Sequence, residues 1–173
     1  VKPGRPYGLR LHRIEAIAEK HGLEVVADMA QAFGTFYDGK PCGAYSRMNT
    51  LSFYPTKNLG AFGDAGAVLF SDPDATDRCR AIRLHGEDRR YYHSVVGGNF
   101  RLDALQAVVL DIKLKYLDTW TQQRRAHAAH YNKSLKSSVQ TPIISQGNRS
   151  IYNQYVIRSS RRDALKDHLA QCG

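Results

Sequence analysis

Three side chains of complementary chemistry follow one another along this 173-residue chain: a carboxylate, Asp28, a hydroxyl, Ser52, and an amine, Lys57. A lysine amine attacks a carbonyl to form a Schiff base once its surroundings make it nucleophilic. A carboxylate beside a pyridine nitrogen keeps that nitrogen protonated, and the protonated ring then draws electrons from whatever is bonded to it. A hydroxyl and a few backbone N–H groups hold a phosphate. Together these are the requirements of pyridoxal phosphate. Singly, each residue has a plainer use: Asp28 as a turn cap, Ser52 as a strand residue, Lys57 as a solvated cation.

The elements around them must bring the three to one place. Leu11, Ile14, Ile17 and Ala18 recur at helical spacing before Gly22, which predicts a helix over 10–21. The apolar run 23–27 predicts a buried strand that ends at Asp28, and a helix feeding such a strand is half of a βαβ unit. Ligands of parallel sheets bind beyond the carboxyl ends of the strands, where Asp28 stands. Residues 50–54 predict a second strand stopped by Pro55, and 67–70 a third, with Gly60, Gly63 and Gly66 punctuating the loop between them. Ser71-Asp72-Pro73 opens a helix to about Leu84, Gly86 closes it, and 87–100 reads as a loop. From Arg101 a 3–4 spacing without Pro or Gly predicts one helix of about 30 residues, roughly 45 Å long. Residues 151–158 then read as a strand and 163–171 as a helix.

Composition narrows the function classes. The chain is 42% hydrophobic, as soluble globular proteins are, and no apolar run approaches a membrane span. Residues 1–6 lack the apolar stretch of a secretory signal, and the chain does not begin with Met, which we read as a processed, cloned or truncated start. Cys42, Cys79 and Cys172 are too scattered for a disulfide framework or a zinc site, and are expected as reduced thiols of a cytoplasmic protein. Twenty-five Lys and Arg against 16 Asp and Glu give +9, which attracts polyanions. Without a zinc-finger, helix-turn-helix or RNA-binding signature, we expect no nucleic-acid partner.

Four segments carry a resemblance. Asp28-Met29-Ala30-Gln31, Ser52-Phe53-Tyr54-Pro55-Thr56-Lys57, Gly63-Asp64-Ala65-Gly66 and Gly97-Gly98-Asn99-Phe100-Arg101 stand in the order and register of the DegT/DnrJ/EryC1/StrS sugar aminotransferases. The chain resembles that family from about Tyr7 to Arg162. The resemblance implies an α/β fold: part of the large, mostly parallel, helix-flanked domain of a fold-type I pyridoxal-phosphate transferase (1–120), then a connector helix end and the truncated start of a small α+β domain (121–173). It implies that Lys57 holds the cofactor and moves the proton of the 1,3-shift, that Asp28 pairs with the ring nitrogen, that Gln31 meets the ring or its 3-hydroxyl, and that Ser52 binds the phosphate. Asn99 would reach the phosphate of a neighbouring subunit's cofactor across a homodimer, and Arg101 the substrate there. A helix-start salt bridge is the alternative for Arg101.

The reaction implied is transfer of an amino group, with glutamate as donor, onto a nucleotide-linked keto-sugar, at C3 rather than C4. Ala27 and Met29 replace Glu and Ala of many relatives, and Asn153 stands where many carry His, a position tied to substrate choice. Relatives with His in place of the lysine are dehydratases or deoxygenases; this chain keeps Lys57. Members of the family are longer, so the chain by itself is expected to be inactive. A regulatory or non-catalytic role, or a degenerate gene fragment, are the alternatives.

Overall fold

A computed structural model describes residues 11–173, so the expected first residue of the opening helix and the start of the resemblance lie outside the described residues. Helix α1 (Leu11–His21) buries Ala18 and stops where Gly22 adopts φ +61°. Strand β1 (Val26–Asp28) is shorter than expected, because the chain from Gly22 to Val25 is still leaving the helix and pairs with no strand. Then comes a hairpin of β2 (Phe36–Tyr37) and β3 (Lys40–Pro41), turned by Asp38 and Gly39, both at positive φ. An Asp-Gly pair is the usual sequence for such a two-residue turn.

Strand β4 (Met48–Ser52) lies at the centre of a three-stranded sheet of order β1-β4-β5, parallel to β1 and antiparallel to β5 (Gly66–Phe70). Asn49 and Leu51 are buried, whereas Met48, Thr50 and Ser52 point to a more open face. Helix α2 (Pro73–Arg83) begins as expected, with Asp72 accepting the amide of Asp74 and Pro73 in the first turn. The segment 87–100, expected as a loop, contains a bulged hairpin of β6 (Glu87–Arg89) and β7 (Tyr92–His93). Its base is tight: a Cβ on Gly86 would collide with the Val95 carbonyl, and Gly86 sits at φ +78°.

Two expectations need correction. The single long helix is two, α3 (Ala104–Leu114) and α4 (Leu117–Leu135). At the junction the Tyr116 amide reaches back three residues to Lys113 rather than four, and Tyr116 stacks on Trp120. Leu110 and Leu117, either side of it, both enter one core cluster, so the apolar spacing runs through the break and hides it. The strand expected at 151–158 is no ladder. Arg158 exchanges two backbone bonds with Gln140, but the rest of the segment finds no partner strand among the described residues. Helix α5 (Arg162–Cys172) closes the chain. No helix of the described residues is long and apolar enough to cross a membrane.

The core lies under the loop that joins β4 to β5. Leu59 and Ala61 of that loop pack with Leu110 and Leu117, and Phe33, Phe53 and Ala65 cover the cluster. Leu110→Ala removes a side chain only 8% exposed and is expected to cost about 2–4 kcal/mol. Leu105→Ala, on the same helix but 71% exposed, should cost under about 0.5 kcal/mol. Urea unfolding of the two variants side by side checks the contrast.

Candidate functional site

Asp28 ends β1 and Ser52 ends the parallel β4, so both lie at the carboxyl end of these two strands. Asp28 pairs with Thr50, and Ser52 follows two residues on, about 6.6 Å further along the strand. Paired residues and alternate residues share a face of a pleated sheet, which puts the Asp28 carboxylate, the Thr50 side chain and the Ser52 hydroxyl on one side. One Asp28 oxygen accepts the Ala30 amide at 3.0 Å, a local turn that fixes the carboxylate and leaves its other oxygen without a hydrogen bond among the described residues. Ser52 Oγ accepts the Tyr54 amide at 3.4 Å, too long to hold it firmly.

The loop after Ser52 delivers Lys57. The Lys57 amide donates to the Tyr54 carbonyl at 2.8 Å, closing a β-turn with Pro55 in its second place. The returning chain is pressed against this turn: a Cβ on Gly60 would collide with the Pro55 carbonyl. The Phe53 amide bonds to Ala65, and the Ala61 amide returns to Phe53, both at 2.7 Å. Helix α3 adds two side chains, Lys113 Nζ donating to the Gly60 carbonyl at 2.6 Å and Gln106 accepting the Phe62 amide at 2.8 Å. From the far end of the chain, the Ile151 carbonyl accepts from Asn58 Nδ2 at 3.1 Å. The half-buried lysine therefore rides on a loop braced from three directions.

Gln31 lies exposed in the turn just after Asp28. Asn99 and Arg101 are placed together but elsewhere. Asn99 bridges to Leu84 at the end of α2, and its side-chain oxygen accepts from Arg101 Nε at 3.1 Å. Among the described residues no hydrogen bond or ion pair connects that exposed pair to Asp28, Gln31, Ser52 or Lys57. The salt-bridge alternative for Arg101 finds no carboxylate there.

Sequence reasoning missed Asn58, Gln106, Lys113 and Arg124. A signal existed for two of them. Gln106, Leu110, Lys113 and Leu117 follow at spacings of 4, 3 and 4, so two polar residues sit on the stripe that faces the core. Elsewhere, burial pushes the Cys42 thiol up, and burial followed by the Asp38 carboxylate pushes the Tyr45 hydroxyl up. Burial also raises Tyr155, whose hydroxyl donates to Asn132 at 2.6 Å. All three keep their protons at neutral pH and supply no charged nucleophile.

The donor set fits the group inferred from sequence: a carboxylate and a hydroxyl on one sheet face, with an amine on the loop that follows. Residues 4–173 match the model of the DegT/DnrJ/EryC1/StrS aminotransferase family. The chain belongs to that family. It is 45% identical to a "Pleiotropic regulatory protein" of Geobacillus stearothermophilus, over 94% of this chain and 45% of that protein. It is 41% identical to a dTDP-3-amino-3,4,6-trideoxy-alpha-D-glucose transaminase of Streptomyces venezuelae, over 90% of this chain and 42% of that protein. It superposes with a TM-score of 0.91 on S. venezuelae DesV, solved in complex with a ketimine intermediate, at 36% identity over 99% of this chain and 49% of that one. The α/β architecture is thus that of a part of the aminotransferase fold, and the chain spans about half the length of the relatives it matches.

Two outcomes follow from this geometry. Gly60→Ala must push the returning strand off the Pro55 carbonyl, so the Lys57 and Ala61 amides should exchange with deuterium faster and stability should fall by about 2 kcal/mol or more. The raised Cys42, Tyr45 and Tyr155 groups bind protons more tightly folded than unfolded. Their stabilisation is complete below the unfolded values and is lost as pH rises through the folded ones, so melting temperature should decline steadily above about pH 9.

Proposed function

We propose that the protein is a pyridoxal-phosphate-dependent transaminase that moves an amino group from glutamate onto a nucleotide-linked keto-sugar. The observation that carries this is Lys57 on a braced loop immediately beyond the carboxyl ends of two parallel strands that present Asp28 and Ser52 on one face. The family and the transaminase name of the Streptomyces relative support it, and the 3-amino sugar in that name favours amination at C3. Residues 1–120 belong on this reading to the cofactor-binding domain and 121–173 to the connector and the start of the small one.

Bound pyridoxal phosphate supplies an electron sink that stabilises negative charge on the carbon being aminated. The chain's own residues do the rest. Lys57 would hold the cofactor through its amine, and the same amine would move the proton of the transfer. Asp28, its second oxygen open, holds the ring nitrogen protonated. Gln31 orients the ring, and the Ser52 hydroxyl donates to the phosphate. Asn99 and Arg101, bonded to each other away from this group, serve the site of the other subunit of a homodimer, Asn99 at the phosphate and Arg101 at the substrate. Exposed Val26 and Val68 beside Asp28 leave the sheet face uncovered, so these 173 residues alone are not an active enzyme.

A second reading, a regulatory protein, is favoured by the name of the Geobacillus relative. It needs no intact Asp28, Ser52 and Lys57, all of which this chain keeps. Mixing the full-length protein with pyridoxal phosphate and recording its spectrum separates the two. The transaminase shows the near-visible band of lysine-bound cofactor, which Lys57→Ala abolishes. No band, or one that persists in Lys57→Ala, overturns the proposal.

A further inference from the structure

Residues 150–153 form a turn held more firmly than its irregular backbone requires. Tyr152 adopts φ +45°, a left-handed conformation that side chains with a Cβ rarely take. The carbonyls on either side of its Cα are both gripped. The Ile151 carbonyl accepts from Asn58 Nδ2 at 3.1 Å, and the Tyr152 carbonyl from Arg124 Nη1 at 3.3 Å. The Tyr152 amide donates to Ser150 Oγ at 3.0 Å. Ile151 is 2% exposed and Asn58 8%, so the first grip is a buried one.

The two gripping side chains come from unrelated places. Asn58 is the neighbour of Lys57 on its braced loop, and Arg124 lies on α4. Together with Trp120, Gln123 and His127 they line a cleft of about 380 Å³ between loop and helix. Arg124 has no carboxylate partner among the described residues, so its guanidinium is committed here to a backbone oxygen. Directly after the turn, Asn153 carries a buried side-chain oxygen with no hydrogen-bond partner. A strained residue persists only where its surroundings over-determine it, and such residues gather at functional sites.

We propose that Asn58 and Arg124 are positioning residues: by gripping consecutive carbonyls they hold Tyr152 in its left-handed conformation and so fix Asn153 in register with Lys57. On the transaminase reading, the cleft between the lysine loop and α4, which Asn58 and Arg124 both line, is thereby held in shape for the sugar. The lysine loop does not depend on the latch. Its own bonds, Phe53 to Ala65, Ala61 to Phe53 and Lys113 to Gly60, remain when Asn58 lets go.

Hydrogen exchange on the full-length protein tests the latch without any substrate. In Asn58→Ala and in Arg124→Ala, amides across 151–156 should exchange about tenfold faster, with those of Lys57 and Ala61 unchanged. Arg124→Lys keeps one donor and should recover much of the protection. Gly takes the left-handed conformation freely, so in a Tyr152→Gly background the loss of Asn58 should matter several-fold less. That background also serves if Asn58→Ala alone does not fold. With the keto-sugar, KM should rise about tenfold in either single variant while the band of lysine-bound cofactor stays. Unchanged exchange across 151–156 in both single variants, or a uniform loss of protection along the chain, overturns the latch. A missing cofactor band would overturn the transaminase reading instead.

Discussion

Leu59 and Ala61 against Leu110 and Leu117 is the packing on which the rest depends. Connecting loops usually run over the surface, because buried loop backbone leaves polar groups without partners. Here the second half of the β4–β5 loop forms the core, and its backbone groups are satisfied one by one. Lys113 meets the Gly60 carbonyl, Gln106 the Phe62 amide, and Phe53 the Ala61 amide. Folding the core therefore also places Lys57, two residues before Leu59. A lysine on a loop with no such anchor would lose far more conformational freedom on each reaction cycle.

The same sheet puts its chemistry on its least covered side. Val26 is 53% exposed and Val68 45%, and both share a face with Asp28, Thr50 and Ser52. Exposed apolar side chains on a sheet face leave room for more protein to pack there. The chain covers 42–49% of the lengths of the relatives described above, which leaves ample sequence in those proteins for such a cover. A carboxylate holding a ring nitrogen works best away from water, where its charge is least screened. On the proposed reading, covering that face and activating the site are one requirement, which is why this stretch alone is expected to be inactive.

How much was legible in the sequence depended on how local the cause was. Asp72 and Pro73 announce α2 because a helix start is written in two or three residues. The strand end at Asp28 was legible from the change from apolar to polar residues, whereas Pro55 only bounded the second strand, expected over 50–54 and found at Met48–Ser52. The turn at Asp38-Gly39 was equally local and was passed over, since the runs flanking it are only two residues long. The break between α3 and α4 was not legible, because Leu110 and Leu117 keep one period through it and pack on the same loop. The missing ladder at 151–158 follows from partners far away in sequence, Arg149 with Phe36 and Arg158 with Gln140, which alternation along one segment cannot reveal. For the candidate site, residue types named Asp28, Ser52 and Lys57, but the contact that ties the lysine loop to the far end of the chain, Asn58 reaching residue 151, spans 93 positions.

Charge adds a last step. The ion pairs among the described residues, Arg80 with Asp77, Lys115 with Asp111 and Arg162 with Asp163, all have side chains at least 65% exposed. Such pairs contribute little to stability, typically under about 1 kcal/mol each. These exposed pairs therefore do little to hold the fold together, unlike Lys113 and Arg124, which bond to backbone carbonyls. Arg89 and Arg90 lie over the rings of Tyr92 and Tyr91 on the exposed β6–β7 hairpin, and Arg101, at the base of that segment, pairs with no carboxylate among the described residues. Cations kept exposed and without acidic partners raise the local concentration of anions. On the proposed reading, a substrate carrying a diphosphate would benefit from that field at a distance, before any residue of the site has to recognise it.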